Sequence, residues 1–465
     1  MKINANLSTL LLLPVFAAAV LLSGCSDKLT APTLTGSPTA NAGNFSNVVF
    51  LGDSLSAGFQ SGTLLDTFQP NGWNILLAQQ AGFKVEQPLI AYPGVPAALQ
   101  LTAISPTPVV SSIAGTSSGR DNLTIQPTDI AVPGAFLSDV LYTQPLLVPQ
   151  TGQQIMNYLV LGFPGIDEGV QYSQIQWAHQ LNPTTLFVWI GNNDALIADE
   201  TGVPANMTPV ATFTAEYQQM MALITANTRA NVILMNIPDV TTVPYMTSGA
   251  LILAEYSAAT SIPQATLSTM FGVQATDLVN PTGMAEISEI LAGTRTTPIG
   301  TEGSLTAAEI ATVQSTVNQY NSAIAAQATA NGATLIDIHT ALLNLKASPP
   351  TINGVATPTI NGVPVSLSFL GGIFSLDGIH PTNTGYAIIA NTVIAKLDAT
   401  VASGGLGLSI PQVSLTTIAA ADPLFPPNIK LNVLSGQHHI TAEAGQRVSW
   451  LLNPQKQLHG VEFIR

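Results

Sequence analysis

The sequence predicts a three-layer α/β protein, in which a central parallel sheet is covered on both faces by helices. Short apolar runs at 48–51, 186–190, 231–237 and 334–338 read as strands buried on both sides. Segments with apolar residues at spacings of three and four lie between them, as helices packed on a sheet require. The polar residues of interest fall directly after the strands, at turns, where open α/β sheets bind ligands.

The first run stops at Gly52-Asp53-Ser54. Gly52 is expected to supply the unusual backbone angles of a sharp turn, which sets Ser54 at the mouth of the sheet. Residues 72–81 read as a short helix and 83–90 as a second strand. Residues 92–122 are rich in Pro, Ser and Thr and read as a long excursion; loops of that length tend to carry function. The segment 123–132 leads to Pro133-Gly134-Ala135, and the run 186–190 ends in Gly191-Asn192-Asn193-Asp194. Thr208-Pro209 offers a capping hydroxyl and a proline at the first helical position, and Phe213, Tyr217, Met220 and Ile224 then keep one face apolar. Residues 238–301 read as a partly helical insertion. Thr306 and Glu309 form a capping box ahead of a helix carrying Ile310, Val313, Val317, Tyr320 and Ile324 on one face. Within 351–365 a short TING repeat places Asn353-Gly354 and Asn361-Gly362 at tight hairpin turns. Asp377-Gly378-Ile379-His380-Pro381 precedes a last helix lined by Tyr386, Ile389, Val393, Ile394 and Leu397. From 404 onward no period is strong, and 404–465 reads as a β-rich or irregular appendage.

Residues 1–24 read as an export signal: Lys2 is followed by an apolar stretch, 7–22, short of the about 20 residues that a membrane span needs. Leu22-Ser23-Gly24-Cys25 resembles the bacterial lipobox, whose cysteine is lipidated and becomes the first mature residue; Ser26 after it is compatible with the outer membrane. Residues 25–44 then form a flexible tether, and 45–403 the main domain, with insertions near 92–122 and 238–301. Cys25 is the single cysteine, so a disulfide within the chain is excluded. A net charge of −14 with only 12 basic residues disfavours nucleic acid, which needs a clustered basic footprint. No basic face offers itself to anionic lipid, so membrane attachment rests on the N-terminal lipid.

A serine becomes a nucleophile only with a base, an acid that holds the base's tautomer, and donors for the oxyanion. Among six histidines, His380 has Asp377 three residues before it, and the pair precedes a helix. Ser54, Gly134 and Asn193 each follow an apolar run, so a parallel sheet gathers them at one edge. Asp53 and Asp194 read as braces for their turns, and Asp337 with His339 has the wrong spacing for the pair. Gly-Thr-Ser-Ser-Gly at 115–119 fits the G-x-S-x-G elbow but lacks the strand before it and the helix after it.

Taken in order, Gly52-Asp53-Ser54-Leu55-Ser56, Gly134, Gly191-Asn192-Asn193-Asp194 and Asp377-Gly378-Ile379-His380 resemble the four catalytic blocks of the GDSL or SGNH hydrolases. The match runs from 48 to about 397. Segments 236–245 and 318–321 and the tail stretch IPQVSLTTIAAADPL also resemble the larger bacterial members. The resemblance implies the flavodoxin-like SGNH form of the α/β fold and a carboxylic ester hydrolase, lipase or esterase. Carried onto this chain, it implies Ser54 as nucleophile, His380 as base and Asp377 as orienting acid. The oxyanion donors would be the Ser54 and Gly134 N–H groups and the Asn193 side chain. No metal cluster or cofactor motif is present, and the expected partner is an ester: a lipid, a glycan O-acyl group or a small ester. The alternative is a non-catalytic, glycan-binding envelope lipoprotein that keeps the fold, since few charges and Thr/Asn-rich loops suit glycan contact.

Overall fold

The computed structural model describes residues 44–103, 108–162 and 171–429; the export signal, Cys25, most of the tether and 430–465 lie outside them. Four strands, β1 (Val48–Gly52), β2 (Thr185–Trp189), β3 (Asn231–Met235) and β4 (Thr334–Ile336), pair in that spatial order, all parallel. The outer edge of β1 is covered by 128–132, where Phe50 N–H donates to Thr128 O, and Ile130 and Val132 N–H donate to Phe50 O and Gly52 O. The chain therefore passes to one side of β1 and then to the other. This reversal opens a crevice beyond the carboxyl end of β1, where Ser54 sits.

Residues 83–90, expected as a strand, form none. The place beside β1 is taken by 128–132, and Glu86 O instead accepts N–H bonds from Thr128 and Asp129. Pro88 could donate nothing to a ladder in any case.

Alternation along the strands separates two cores. Val49, Leu51, Leu186, Val188, Val232 and Leu234 face one side, against Phe213, Tyr217, Val313, Val317, Tyr320 and Ile324. Val48, Phe50, Phe187, Trp189, Ile233 and Met235 face the other, against Trp73, Leu77, Tyr386, Val393 and Leu397. Seven helices concern the site: α1 (Ser54–Ala57), α2 (Trp73–Ala81), α3 (Asn192–Thr201), α4 (Val210–Asn227), α5 (Ala307–Asn331), α6 (Ile338–Lys346) and α7 (Asn383–Asp398). The helices α4 and α5 cover the first face and α2 and α7 the second. On the second face Phe50 stacks on Phe187 at 4.9 Å, and Trp73 meets Trp189 edge-on at 6.1 Å. Such pairs add about 0.5–1.5 kcal/mol beyond their burial.

The Thr306 capping box forms as the spacing predicts, and both Asn-Gly pairs close hairpins with positive φ at each residue. Three other elements differ from expectation. Helix α4 starts at Val210 with Pro209 as its cap residue and no side-chain capping bond; the Thr208 hydroxyl instead donates to Asp194 Oδ1 at 2.6 Å. The excursion 92–122 carries a hairpin, Leu99–Ala103 with Val109–Ser112. The tail, as far as it is described, contains a helix, Leu415–Ala421, and packs on α7: Asp422 Oδ2 accepts from Thr384 N and Oγ1, and Ile410 and Val413 enter the second core. The insertion 238–301 holds three helices, Gly249–Thr260, Gln264–Phe271 and Pro281–Leu291, with a small core of their own.

Buried carboxylates stitch the loops at the carboxyl edge. Asp129 Oδ2 accepts from Asn74 Nδ2 on α2 at 2.8 Å. Asp194 Oδ2 accepts from Leu137 N at 2.9 Å, which ties α3 to the turn beyond Gly134. Burial pushes both carboxyls up to about 7 from 3.8, against the pull of these hydrogen bonds. Between about pH 4 and 7 the folded chain thus keeps protons that the unfolded chain has lost, so their contribution to stability falls as pH rises through that window. The melting temperature is expected to drop between about pH 5 and about pH 8, and Asp194→Asn to lessen the drop. Thermal unfolding across that range checks both; a curve that rises with pH in both proteins contradicts the assignment.

Candidate active site

The site starts with a close approach. Gly52 ends β1 in extended backbone and is absent from the positive-φ glycines, so it does not supply the sharp-turn angles expected of it. It is small for another reason: a Cβ there would lie 2.4 Å from Trp189 O, on the paired strand β2. Positive φ is needed instead at Gly58, which closes α1, and at Gly191, φ +106, where a Cβ would also strike Phe213 and Ile237.

Ser54 is the first residue of α1 and is buried, 4% exposed. Asp53 caps that helix, its Oδ1 accepting from Leu55 N at 3.1 Å, and its Oδ2 accepts from Asn192 Nδ2 at 2.8 Å. Burial raises the Asp53 carboxyl to about 6, while the Asn192 and Leu55 hydrogen bonds and the nearby His380 oppose the rise. Gly134 stands at the end of the edge segment with φ +77, and the next carbonyl, Ala135 O, accepts from Asn193 Nδ2 at 2.8 Å. That bond uses one of the two amide protons of Asn193 and fixes the plane of the other.

Asp377 and His380 sit on a clasp in which Ser375 N–H donates to His380 O and Thr382 N–H to Ile373 O. Thr382 then caps α7 by accepting from Gly385 N. The Asp377 carboxylate is fully buried and accepts five hydrogen bonds. Oδ1 takes Ile379 N and His380 N at 2.9 Å and Ser375 Oγ at 3.3 Å; Oδ2 takes Gly62 N at 2.7 Å and His380 Nδ1 at 3.0 Å. Burial alone would raise this carboxyl, but the charge and hydrogen bond of His380 and the backbone N–H groups bring it below the ordinary value. Each hydrogen bond to a charged group is worth about 1.5–3 kcal/mol, so five outweigh the several kcal/mol that burying one carboxylate costs.

The segment that follows Ser54 is held to this clasp. Ser61 N–H donates to Ser375 Oγ at 2.9 Å, the Phe59 ring lies 4.6 Å from the His380 ring, and Tyr386 Oη donates to Phe59 O at 2.6 Å. The structure thus pairs Asp377 with His380 and ties Asn193 to Ala135, the residue after Gly134. It links Ser54 to His380 through Phe59 and Asp53; among the described residues Ser54 Oγ and His380 share no direct hydrogen bond. Such bonds are often long before substrate binds. Phe59, Ser61, Gly62 and Ser375 belong to no motif, and the sequence marks Tyr386 only as a helix-face residue and Asn192 only as a neighbour of Asn193; the two glycines bracketing 58–62 are the one available signal. Asp337 caps α6 and His339 Nδ1 contacts Ile237 O, so that pair serves structure. Ser117 donates to Ala91 O within a loop with no helix after it. Cys25 lies outside the described residues. Among the described residues no group of three or more His, Cys, Asp or Glu could hold a metal ion.

Comparison with known proteins follows the same span. Among curated proteins none matches the chain. Solved structures similar to it include phospholipase A1 from Streptomyces albidoflavus NA297, 16% identical, covering 73% of this chain and 94% of that one with a TM-score of 0.31. Another is an extracellular lipase from Streptomyces rimosus, 15% identical, with the same coverages and a TM-score of 0.30. Overlap that loose says nothing of what this chain acts on. The family model of the GDSL-like lipase/acylhydrolases matches residues 48–393, which take in all four blocks from Gly52 to His380. The chain belongs to that family and is an ester hydrolase of α/β fold.

Proposed function

We propose that this ester hydrolase works in the cell envelope through a Ser54–His380–Asp377 triad. The observation that carries the reading is the 3.0 Å contact between His380 Nδ1 and the buried Asp377 Oδ2, on a clasp that also receives the Gly62 N–H of the nucleophile's segment. With Nδ1–H donated to Asp377, Nε2 is left as the proton acceptor. It takes the Ser54 proton as Oγ bonds to the ester carbonyl carbon, and the Ser54 and Gly134 N–H groups and Asn193 Nδ2 donate to the oxyanion. The carbon–oxygen bond to the alcohol then breaks, and the alcohol leaves with the proton from His380. Water repeats the two steps on the acyl-enzyme and frees the acid. Lipids, glycan O-acyl groups and small esters all meet these requirements. A glycan-binding module has no use for an ionised, five-bonded carboxylate behind a histidine, which favours the hydrolase.

The envelope part of the reading rests on sequence: signal 1–24, a lipid on Cys25 and a tether to residue 44, with the outer membrane as destination. Among the described residues no helix is long and apolar enough to cross a membrane.

A serine-directed phosphonate is expected to label the protein and Ser54→Ala to abolish labelling. In His380→Ala, turnover of a short aryl ester is expected to fall by about 10³ or more. Labelling that persists in Ser54→Ala, or an unchanged rate in His380→Ala, sinks the triad. Asn193→Ala is expected to lower kcat by about 10²–10³ with little change in KM, as loss of a donor that acts only on the oxyanion should; steady-state kinetics separate the two. Cys25→Ser is expected to move the protein from the membrane fraction to the soluble one, read by fractionation and by incorporation of labelled fatty acid; retention in the membrane without lipid contradicts the anchor.

A further inference from the structure

Beside the triad lies a hollow at the carboxyl ends of β2, β3 and β4, walled by the loop after β3, by α6 and by α7. Its position is set by neighbours of the catalytic blocks. Leu55 follows Ser54, Asn192 precedes Asn193, and Ile379 and Pro381 flank His380; all four line it. From there it runs between Trp189, Leu342 and Ile388, and its lining side chains are otherwise aliphatic or aromatic. Polarity is confined to Asn192, at the end next to the nucleophile, and Thr392 on α7. Asn192 Oδ1 is buried and has no hydrogen-bond partner among the described residues.

We propose that this hollow binds the acyl chain of the ester, so that the substrates are esters of medium or long straight-chain fatty acids. The inference rests on Ser54 being the nucleophile. An ester group held at Ser54 needs its polar atoms near Asn192 and Asn193, and an alkyl chain extending from it needs an uncharged wall, since each buried methylene is stabilised and each unpaired polar group is not. The acyl part stays bonded to Ser54 after the alcohol has left, and a pocket with buried walls, Trp189 and Ile379 among them, suits the part that stays. A glycan O-acetyl ester would leave nearly all of this apolar surface unfilled. The helix α6 then sets chain length, because half-buried Ala341 and Leu342 face the hollow on it.

The test uses the full-length protein and two series of aryl or alkyl esters, one varying the acid from acetate through octanoate to hexadecanoate, the other acetates of lengthening alcohols. In the unaltered protein kcat/KM is expected to rise with acyl length. Ala341→Trp, which fills the hollow and touches no catalytic group, is expected to leave acetate turnover unchanged and lower kcat/KM for dodecanoate by about tenfold or more. Leu342→Ala, which enlarges the hollow, is expected to move the optimum to longer acids and serves if the tryptophan variant does not fold. Acyl preference that neither variant moves, or a response in the alcohol series alone, overturns the proposal. Phosphonate labelling and acetate turnover report on Ser54 independently: if they survive while chain preference does not respond, the pocket reading alone fails, and if they are absent, the triad fails.

Discussion

The site depends on one buried negative charge. Asp377 has no access to water, and among the described residues no lysine or arginine pairs with it; its ionised form is held by four donors from its own clasp and by Gly62 from the segment that follows Ser54. Because those donors come from two distant parts of the chain, satisfying the charge also aligns them. The 375–382 clasp cannot shift without stripping bonds from the carboxylate, and Gly62 cannot shift without carrying Phe59 off the His380 ring. The contacts that stabilise the carboxylate are therefore also those that align the proposed triad, and loosening either loosens the other.

The sheet does the rest of the positioning. Its strands end at nearly one level, and the reversal at β1 leaves Ser54, Gly134 and Asn193 around the gap. Close approach of β1 to β2 explains Gly52, where the expectation of special backbone angles was wrong: the residue must be small because Trp189 O is beside it. Asn193 owes its orientation to Ala135 O, and Ala135 owes its place to Asp194 binding Leu137 N, so two adjacent residues of α3 fix both sides of the proposed oxyanion site.

What the sequence could say follows from which forces are local. The strands 48–51, 186–190 and 231–237 were legible because burial on both faces leaves unbroken apolar runs. The capping box at Thr306 and the Asn-Gly hairpins were legible because their hydrogen bonds close within four residues. The edge segment 128–132 was less so: it is anchored to β1 by backbone bonds and carries Asp129 inward to Asn74, a long-range partner that no pattern announces, and 83–90 imitated it better. The motif residues were readable as chemistry, yet Phe59, Ser61 and Gly62 were not, since their roles come from contacts with Ser375, Asp377 and His380 more than 300 positions away. Thr208 shows the same rule in reverse: its hydroxyl donates to a distant carboxylate, and no side chain caps α4.

Aspartate is the recurring tool of this chain, which has only 12 basic residues. Asp53, Asp129, Asp194 and Asp422 are held by amide, hydroxyl and backbone donors, and burial raises each of them. The formal charge of −14 therefore overstates the charge carried near neutral pH, since Asp129 and Asp194 are then only partly ionised. Asp377 departs from this group: the histidine and the extra donors take its carboxyl the other way. In the proposed triad, only a carboxyl that stays ionised can hold Nδ1–H and steady the imidazolium that forms as Ser54 gives up its proton. Asp53, which accepts two hydrogen bonds and is raised to about 6 by burial, could not serve that role across the same range even though it sits next to Ser54 in sequence. In the proposed triad the acid nearest Ser54 along the chain braces it, and the acid that works with it arrives from the far end of the fold.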